Sequence, residues 1–243
     1  MTTLWRYMDW WKFQSILDKG ALFLATAESQ EDKLEGVYPL MSKILRAKQL
    51  SHLPPEQQSY ALHNQEVFDK AAAQVIMLSC WHINNDENPR MWDEYLCDPE
   101  GIAIQTSRDA LTDSFSGFSH PTLVEIVEVK YINRTKYNIG RIIGQLEQFF
   151  YKDESFTWEN ELRCAIDVTL RPLPDDPGGS WNARDVWNGG AYPSGLLVPI
   201  SVNTLIERIV VSPNPSAAFL KKVENMCNKH GLSKPIEQSS ISC

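Results

Sequence analysis

Apolar residues recur at helical spacing through "DWWKFQSILDKG", where Trp10, Phe13, Ile16 and Leu17 share one side. Asp9 can cap the start of this predicted helix and Gly20 can end it. Continuous apolar runs in "ALFLAT", "QVIMLSCW", "GIAIQT", "GLLVPI" and "IERIVVS" predict strands, as do "TLVEIVEVKY" and "ENELRCAIDV". Residues 39–73 predict helix, broken at "SHLPPEQQ", where Pro54 and Pro55 stop one helix and help start the next. "PRMWDEYL" predicts a short helix with Trp92 and Tyr95 three apart on one side. Further helices are predicted over residues 136–152 and 215–231. Strands and helices do not alternate regularly, which favours a mixed α+β domain over a doubly wound parallel sheet. Residues 173–195, rich in Gly, Pro, Asn and Asp, predict a long loop that is a functional lid or a tolerated insertion. With no repeat or linker in view, residues 1–243 read as a single domain.

One stretch breaks the usual apolar logic. In "SFTWENELRCAI" an extended chain would place Glu159, Glu161 and Arg163 on one face, with Trp158, Leu162, Cys164 and Ile166 mostly on the other. Two readings fit: a solvated outer sheet face with local ion pairs, or the acidic lip of an active site. An exposed ion pair contributes only about 0–1 kcal/mol. Stability alone therefore gives little reason for the pattern. Two carboxylates so close resist joint ionisation unless a cation is near, and Arg163 can supply it.

Composition narrows the classes. At 243 residues and 43% hydrophobic content the chain can bury a sizeable core. The net charge of −8 disfavours bulk binding to nucleic-acid phosphates. "MTTLWRYMDWWKF" does not read as a signal peptide, and no 18-residue apolar stretch predicts a membrane span. The five cysteines are odd in number and never closely paired, which argues against a disulfide framework and suits a reducing cytoplasm. There is no phosphate-cradling GxxxxGK[ST], no GxGxxG, HExxH or GxSxG, and no paired Cys/His zinc spacing.

Four short clusters remain as candidate chemistry. "LWRY" carries Arg6 and Tyr7, which would otherwise be a surface arginine on an edge strand. "EDKLEG" carries Asp32, Glu35 and Gly36, as a turn with a helix cap or as a ligand turn. "SCWHINNDENPRMWDEYL" carries Ser79, Trp81, His82, Trp92 and Tyr95, with the aromatics as a core pair or a cleft wall and His82 as packing or catalytic. The Glu159–Glu161 segment is the fourth.

Taken in order, these clusters resemble the bacterial domain-of-unknown-function 2971 family. Arg6-Tyr7, "EDKLEG", "SCWH", "MWDEY" before "GIAIQT", "WENELR" and "VVSP" follow its sequence of motifs across nearly the whole chain. Lys33-Leu34 departs from that family's usual Asp-Pro, and Leu162 from its aromatic before arginine. A looser resemblance, carried by Arg6, Ser79 and the Glu159/Glu161 pair, is to ADP-ribosyltransferases. It implies a mixed, split β core with flanking helices, clamping NAD⁺ between two small sheets. It further implies transfer of ADP-ribose from NAD⁺, or NAD⁺ hydrolysis.

Under that resemblance Glu161 stabilises the oxocarbenium-like ribose and bonds its 2′-hydroxyl, and Glu159 orients the acceptor or takes its proton. Arg6 grips the pyrophosphate, Ser79 steadies the ribose or supports Glu161, and Tyr7, Trp81, Trp92 or Tyr95 wall the nicotinamide. No metal is implied. The acceptor, a protein or a nucleic acid, stays open, and by analogy a toxin or anti-phage effector would have a restraining partner. Two other readings stand beside it. Asp32, Glu35, Glu159 and Glu161 could hold Mg²⁺ in a nuclease or phosphoesterase. Or the aromatic cleft could be a non-catalytic nucleotide- or peptide-binding module.

Overall fold

The first strand sets the architecture. Strand β1 (Thr3–Asp9) pairs antiparallel with β4 (Gly101–Ser107) along its whole length, from Thr3 opposite Ser107 to Asp9 opposite Gly101. On its other side Leu4 and Trp5 pair with Ile83 and His82 of β3 (Ile76–Ile83). Arg6 therefore sits on an interior strand, and its reading as an edge-strand surface arginine is overturned. The computed structural model describes residues 2–32, 34–117, 124–140, 146–168 and 194–241.

Helix α1 (Trp10–Lys19) follows β1 directly and buries Phe13, Ile16 and Leu17. It stops where Gly20 adopts a left-handed φ of 58° and donates its N–H to the Ile16 carbonyl, a conformation glycine takes without a Cβ penalty. Asp9 stands at the N-cap, but its carboxylate accepts the Cys97 N–H at 2.8 Å and caps nothing. The expected cap is thus replaced by a tertiary contact.

Strand β2 (Ala21–Thr26) then pairs with the same edge of β3 that β1 uses, through Ala25–Leu78 and Thr26–Met77. Two strands sharing one edge force a fork. Near the fork β1 leads away to β4, β10 (Arg208–Val211) and β11 (Ile236–Gln238), while β2 leads to β9 (Gly195–Pro199). The opposite edge of β3 pairs with β8 (Glu161–Asp167), which pairs in turn with β5 (Glu125–Glu128). These nine strands form one sheet, mixed because β10 and β11 run parallel. A separate parallel pair joins β6 (Lys130–Ile132) to β7 (Tyr151–Asp153). The α+β class and the mixed sheet flanked by helices hold as expected.

Helices α2 (Leu40–Gln49) and α3 (Pro55–Val75) flank the sheet, and Pro55 occupies the first turn of α3 as its fixed φ favours. Helix α4 (Pro89–Tyr95) covers Trp5, Tyr7, Ala103 and Val210 with Met91 and Trp92. The larger core lies under α1 and α7 (Ala217–Lys229), reached through the short helices α5 (Arg108–Ser114) and α6 (Val202–Leu205). Among the described residues no helix is long and apolar enough to cross a membrane.

Among the described residues, 136–140 and 146–152, the helix expected over 136–152 is not formed. Asn133 and Asn138 side chains accept the N–H groups of Thr135 and Gly140, a local competition that favours turns, and Gly140 has φ 74°. Residues 141–145 lie outside the described residues. Glu147–Phe150 make a single 3₁₀ turn and β7 follows. In place of the one strand expected over 122–131, β5 and β6 form in different sheets, residues 122–123 lying outside the described residues; the strand expected over 206–212 forms as the shorter β10, and most of the loop at 173–195 lies outside the described residues.

Candidate functional site

The fork positions Arg6. Its Nη1 donates to Ser79 Oγ on β3 and its Nη2 to the Phe23 carbonyl on β2 at 3.4 Å, so one guanidinium bridges three strands. Its Cζ stands 5.5 Å from the Trp81 ring centroid. Burial lowers the Arg6 pKa, though an arginine stays protonated in protein surroundings. Among the described residues no carboxylate forms an ion pair with it, whereas the buried guanidinium of Arg163 has two.

The register explains how Arg6 and Glu161 come together. Trp5, His82 and Glu161 are cross-strand partners and share one face of the sheet, so Arg6 and Ser79 belong to the other. The gap at the fork lets both faces reach one cavity of about 730 Å³, within the usual range for small-molecule sites. Arg6, Tyr7, Trp81, His82, Tyr95, Glu159 and Glu161 line it.

The two glutamates do not lie on one strand. Residues 154–159 form a 3₁₀ turn, and Asn160 takes a left-handed φ of 39° before β8 begins at Glu161. The local signal for this turn is Asp153, whose carboxylate accepts the Ser155 N–H at 3.0 Å. Asn160 locks against β3 by donating from its side chain to the Ile83 carbonyl at 2.7 Å and accepting the Ile83 N–H at 2.7 Å. Strand β8 is buried along all seven residues, so the solvated-face reading is overturned.

Both carboxylates meet the same cations nonetheless. Arg163 Nε donates to Glu161 Oε1 at 2.7 Å and Nη2 to Oε2 at 3.1 Å. The other side of that guanidinium grips Glu35 at 2.6 and 2.9 Å, and the Phe149 carbonyl accepts from Nη1. Lys152 Nζ donates to Glu159 and stands 3.5 Å from Glu161. Three carboxylates thus share two buried cations. Burial alone would raise the pKa of Glu161, but Arg163 and then Lys152 hold it down to about 2. Burial pushes Glu159 up to about 7 despite the Lys152 ammonium against it. The two environments thus push the carboxyls in opposite directions, Glu161 toward its ionised form and Glu159 toward its protonated form.

His82 holds Glu159 from behind. Asn88 Nδ2 approaches His82 Nε2 at 3.2 Å, and since an amide nitrogen only donates, Nε2 accepts and Nδ1 donates to the Glu159 carbonyl at 2.5 Å. Burial lowers its pKa and favours this neutral tautomer. Asn88 also donates its N–H to the Tyr7 hydroxyl at 2.9 Å. Burial, and next the Glu161 charge, raises the Cys80 thiol pKa, so this cavity-lining sulfur stays protonated.

Two expected residues stand elsewhere. Ser79 is fully buried behind Arg6 and outside the cavity lining, supporting the guanidinium rather than Glu161. Trp92 is no cleft wall. It packs edge-on against Tyr7 at 4.9 Å and donates to Glu87 at 3.1 Å, a core contact made with Tyr7 and not with Tyr95, which lines the cavity. The "EDKLEG" turn is a turn with a tertiary role, because Asp32 accepts the Leu34 N–H at 2.8 Å and Glu35 reaches Arg163. The four acids of the Mg²⁺ reading are therefore spread over Arg134, Arg163 and Lys152. Among the described residues no three or more His, Cys, Asp or Glu side chains are grouped to hold a metal ion.

The sequence reading missed Lys152, which fell inside the expected helix, and the cavity-mouth residues Trp11, Lys12 and Phe23. The signal in the sequence was a tryptophan, Trp11, outside the apolar spacing of Trp10, Phe13, Ile16 and Leu17. No protein-family model, curated protein or solved structure matches the chain.

Proposed function

We propose that this cavity binds NAD⁺ and breaks its nicotinamide–ribose bond, passing ADP-ribose to an acceptor or to water. The observation that carries the reading is one cavity lined both by an arginine with no carboxylate partner among the described residues and by Glu159 and Glu161, which Lys152 and Arg163 hold together. The Arg6 guanidinium suits a pyrophosphate, which it can bind bidentately. Glu161, held ionised, faces positive charge developing at the ribose C1′. The C1′–N bond breaks with its electron pair leaving on nicotinamide, the acceptor oxygen bonds to C1′, and the acceptor proton passes to Glu159. Tyr95 also lines the cavity and offers aromatic surface to the nicotinamide ring. A toxin or anti-phage effector held in check by a partner is the biological setting this reading carries by analogy.

Purified protein incubated with NAD⁺ tests it. The expected result is nicotinamide release that persists in EDTA and is absent from an Arg6→Ala, Glu159→Gln double variant. Chelator-sensitive cleavage of nucleic acid, with no nicotinamide released, would establish the nuclease reading instead. Saturable NAD⁺ binding without turnover would leave a binding module.

A further inference from the structure

Away from the glutamates, the same cavity opens between α1 and the β2–β9 pair, and large apolar side chains stand open to solvent there. Trp11 is 64% exposed, Phe23 44% and Leu197 43%, and all three line the cavity. Water-exposed apolar groups that line a concave site mark a ligand surface more often than scattered ones do.

Their placement is built. Phe23 and Leu197 are direct partners across β2 and β9. The Phe23 ring lies against Gly195, where a Cβ would overlap it, so the glycine makes room for the ring. The Phe23 carbonyl accepts from Arg6, tying this wall to the fork. On α1, Trp11 lies on the side away from Phe13, Ile16 and Leu17. The Lys12 ammonium stands 5.3 Å from its ring centroid and 3.4 Å from Asp9.

We infer that this mouth is a stacking site for the purine base of a nucleoside diphosphate, with Trp11 and Phe23 against the base and Arg6 and Lys12 toward its phosphates. Aromatic faces beside cations are the chemistry that recognises a base and its phosphate, and stacking alone tolerates any flat ring. The inference rests on the NAD⁺ reading only for the identity of the diphosphate. It assigns the adenine half of the dinucleotide to the mouth and leaves the glutamate end to the nicotinamide half.

Calorimetric titration of the full chain with ADP and, separately, with nicotinamide mononucleotide tests the assignment without requiring turnover. Trp11→Ala is expected to weaken ADP binding about tenfold or more, Trp11→Phe to restore most of it, and neither to change the affinity for nicotinamide mononucleotide. Equal ADP affinity in the wild type and Trp11→Ala would overturn the site. So would no ADP binding at all, or concentration-dependent self-association abolished by Trp11→Ala, which would make the patch a protein interface. ADP binding that depends on Trp11 without any nicotinamide release would sink the NAD⁺ reading and leave this site standing. Release with Trp11-independent ADP binding would do the reverse.

Discussion

Arg163 holds Glu161 through both carboxylate oxygens, at 2.7 and 3.1 Å, while its opposite edge holds Glu35 in the same bidentate manner. All three side chains are almost wholly buried, at 1%, 4% and 2% exposure. Burial works against the Arg163 charge, and the two carboxylates outweigh it, raising its pKa. The turn carrying Glu35 is thereby fastened to the strand carrying Glu161. The cavity carboxylate is thus positioned by two side chains that do not themselves line the cavity.

Arg163→Met leaves buried Glu35 without its cation and Glu161 with Lys152 alone, 3.5 Å away. Removing one member of a buried ionic group costs about 3–5 kcal/mol, a large share of a typical domain's stability. Urea denaturation is expected to show a midpoint lowered to match. Glu35→Gln, which leaves Arg163 paired with Glu161, should lose less, about 1–3 kcal/mol.

The pH dependence of stability carries two opposed signs. Glu161 has a folded pKa depressed from 4.5 to about 2, so its stabilisation is present above 4.5 and is lost as pH falls toward 2. Glu159 is raised from 4.5 to about 7, so its contribution is present below 4.5 and is lost as pH rises through 7. Thermal melts from pH 2 to 8 are expected to rise on the acid side and decline toward neutrality. Glu159→Gln should flatten the neutral decline and leave the acid limb in place.

Catalysis should show the opposite trend at the same group. A base with a pKa of about 7 must lose its proton before it can accept one, so kcat/KM is expected to rise through about pH 7. In Glu159→Gln that rise should vanish. A pH-independent wild-type profile would remove Glu159 from the role of base.

Gly36 has φ 69°, and a Cβ there would run into the Phe149 ring, whose own carbonyl accepts from Arg163. Gly36→Ala therefore strains the backbone and displaces a partner of the buried guanidinium. A loss of about 1–3 kcal/mol is expected in chemical denaturation, the usual range for overpacking.

Much of this was legible along the chain because it depends on neighbours in sequence. The apolar spacing of α1 with Gly20, the apolar runs of β2, β3 and β4, and the prolines before α3 each act locally. The convergence of Arg6 with Ser79 was expected only by resemblance, and the fork that produces it depends on two strands competing for one edge of β3. Strand alternation holds only from Glu161, two residues later than the expected start at Glu159: Asn160 turns left-handed, yet Lys152 still gathers Glu159 to Glu161 from outside the strand. Lys152 itself was hidden because a short parallel β6–β7 pair, stabilised by tertiary contacts, replaced a plausible helix.

The most direct test is the rate of nicotinamide release from NAD⁺ by Glu161→Gln beside the wild type, with circular dichroism verifying that both are folded. Measurable release by the wild type is expected, with a fall of at least about a hundredfold in the variant, the scale on which removing a group that stabilises transition-state charge acts. Equal rates, or a wild type that leaves NAD⁺ intact, would contradict this expectation.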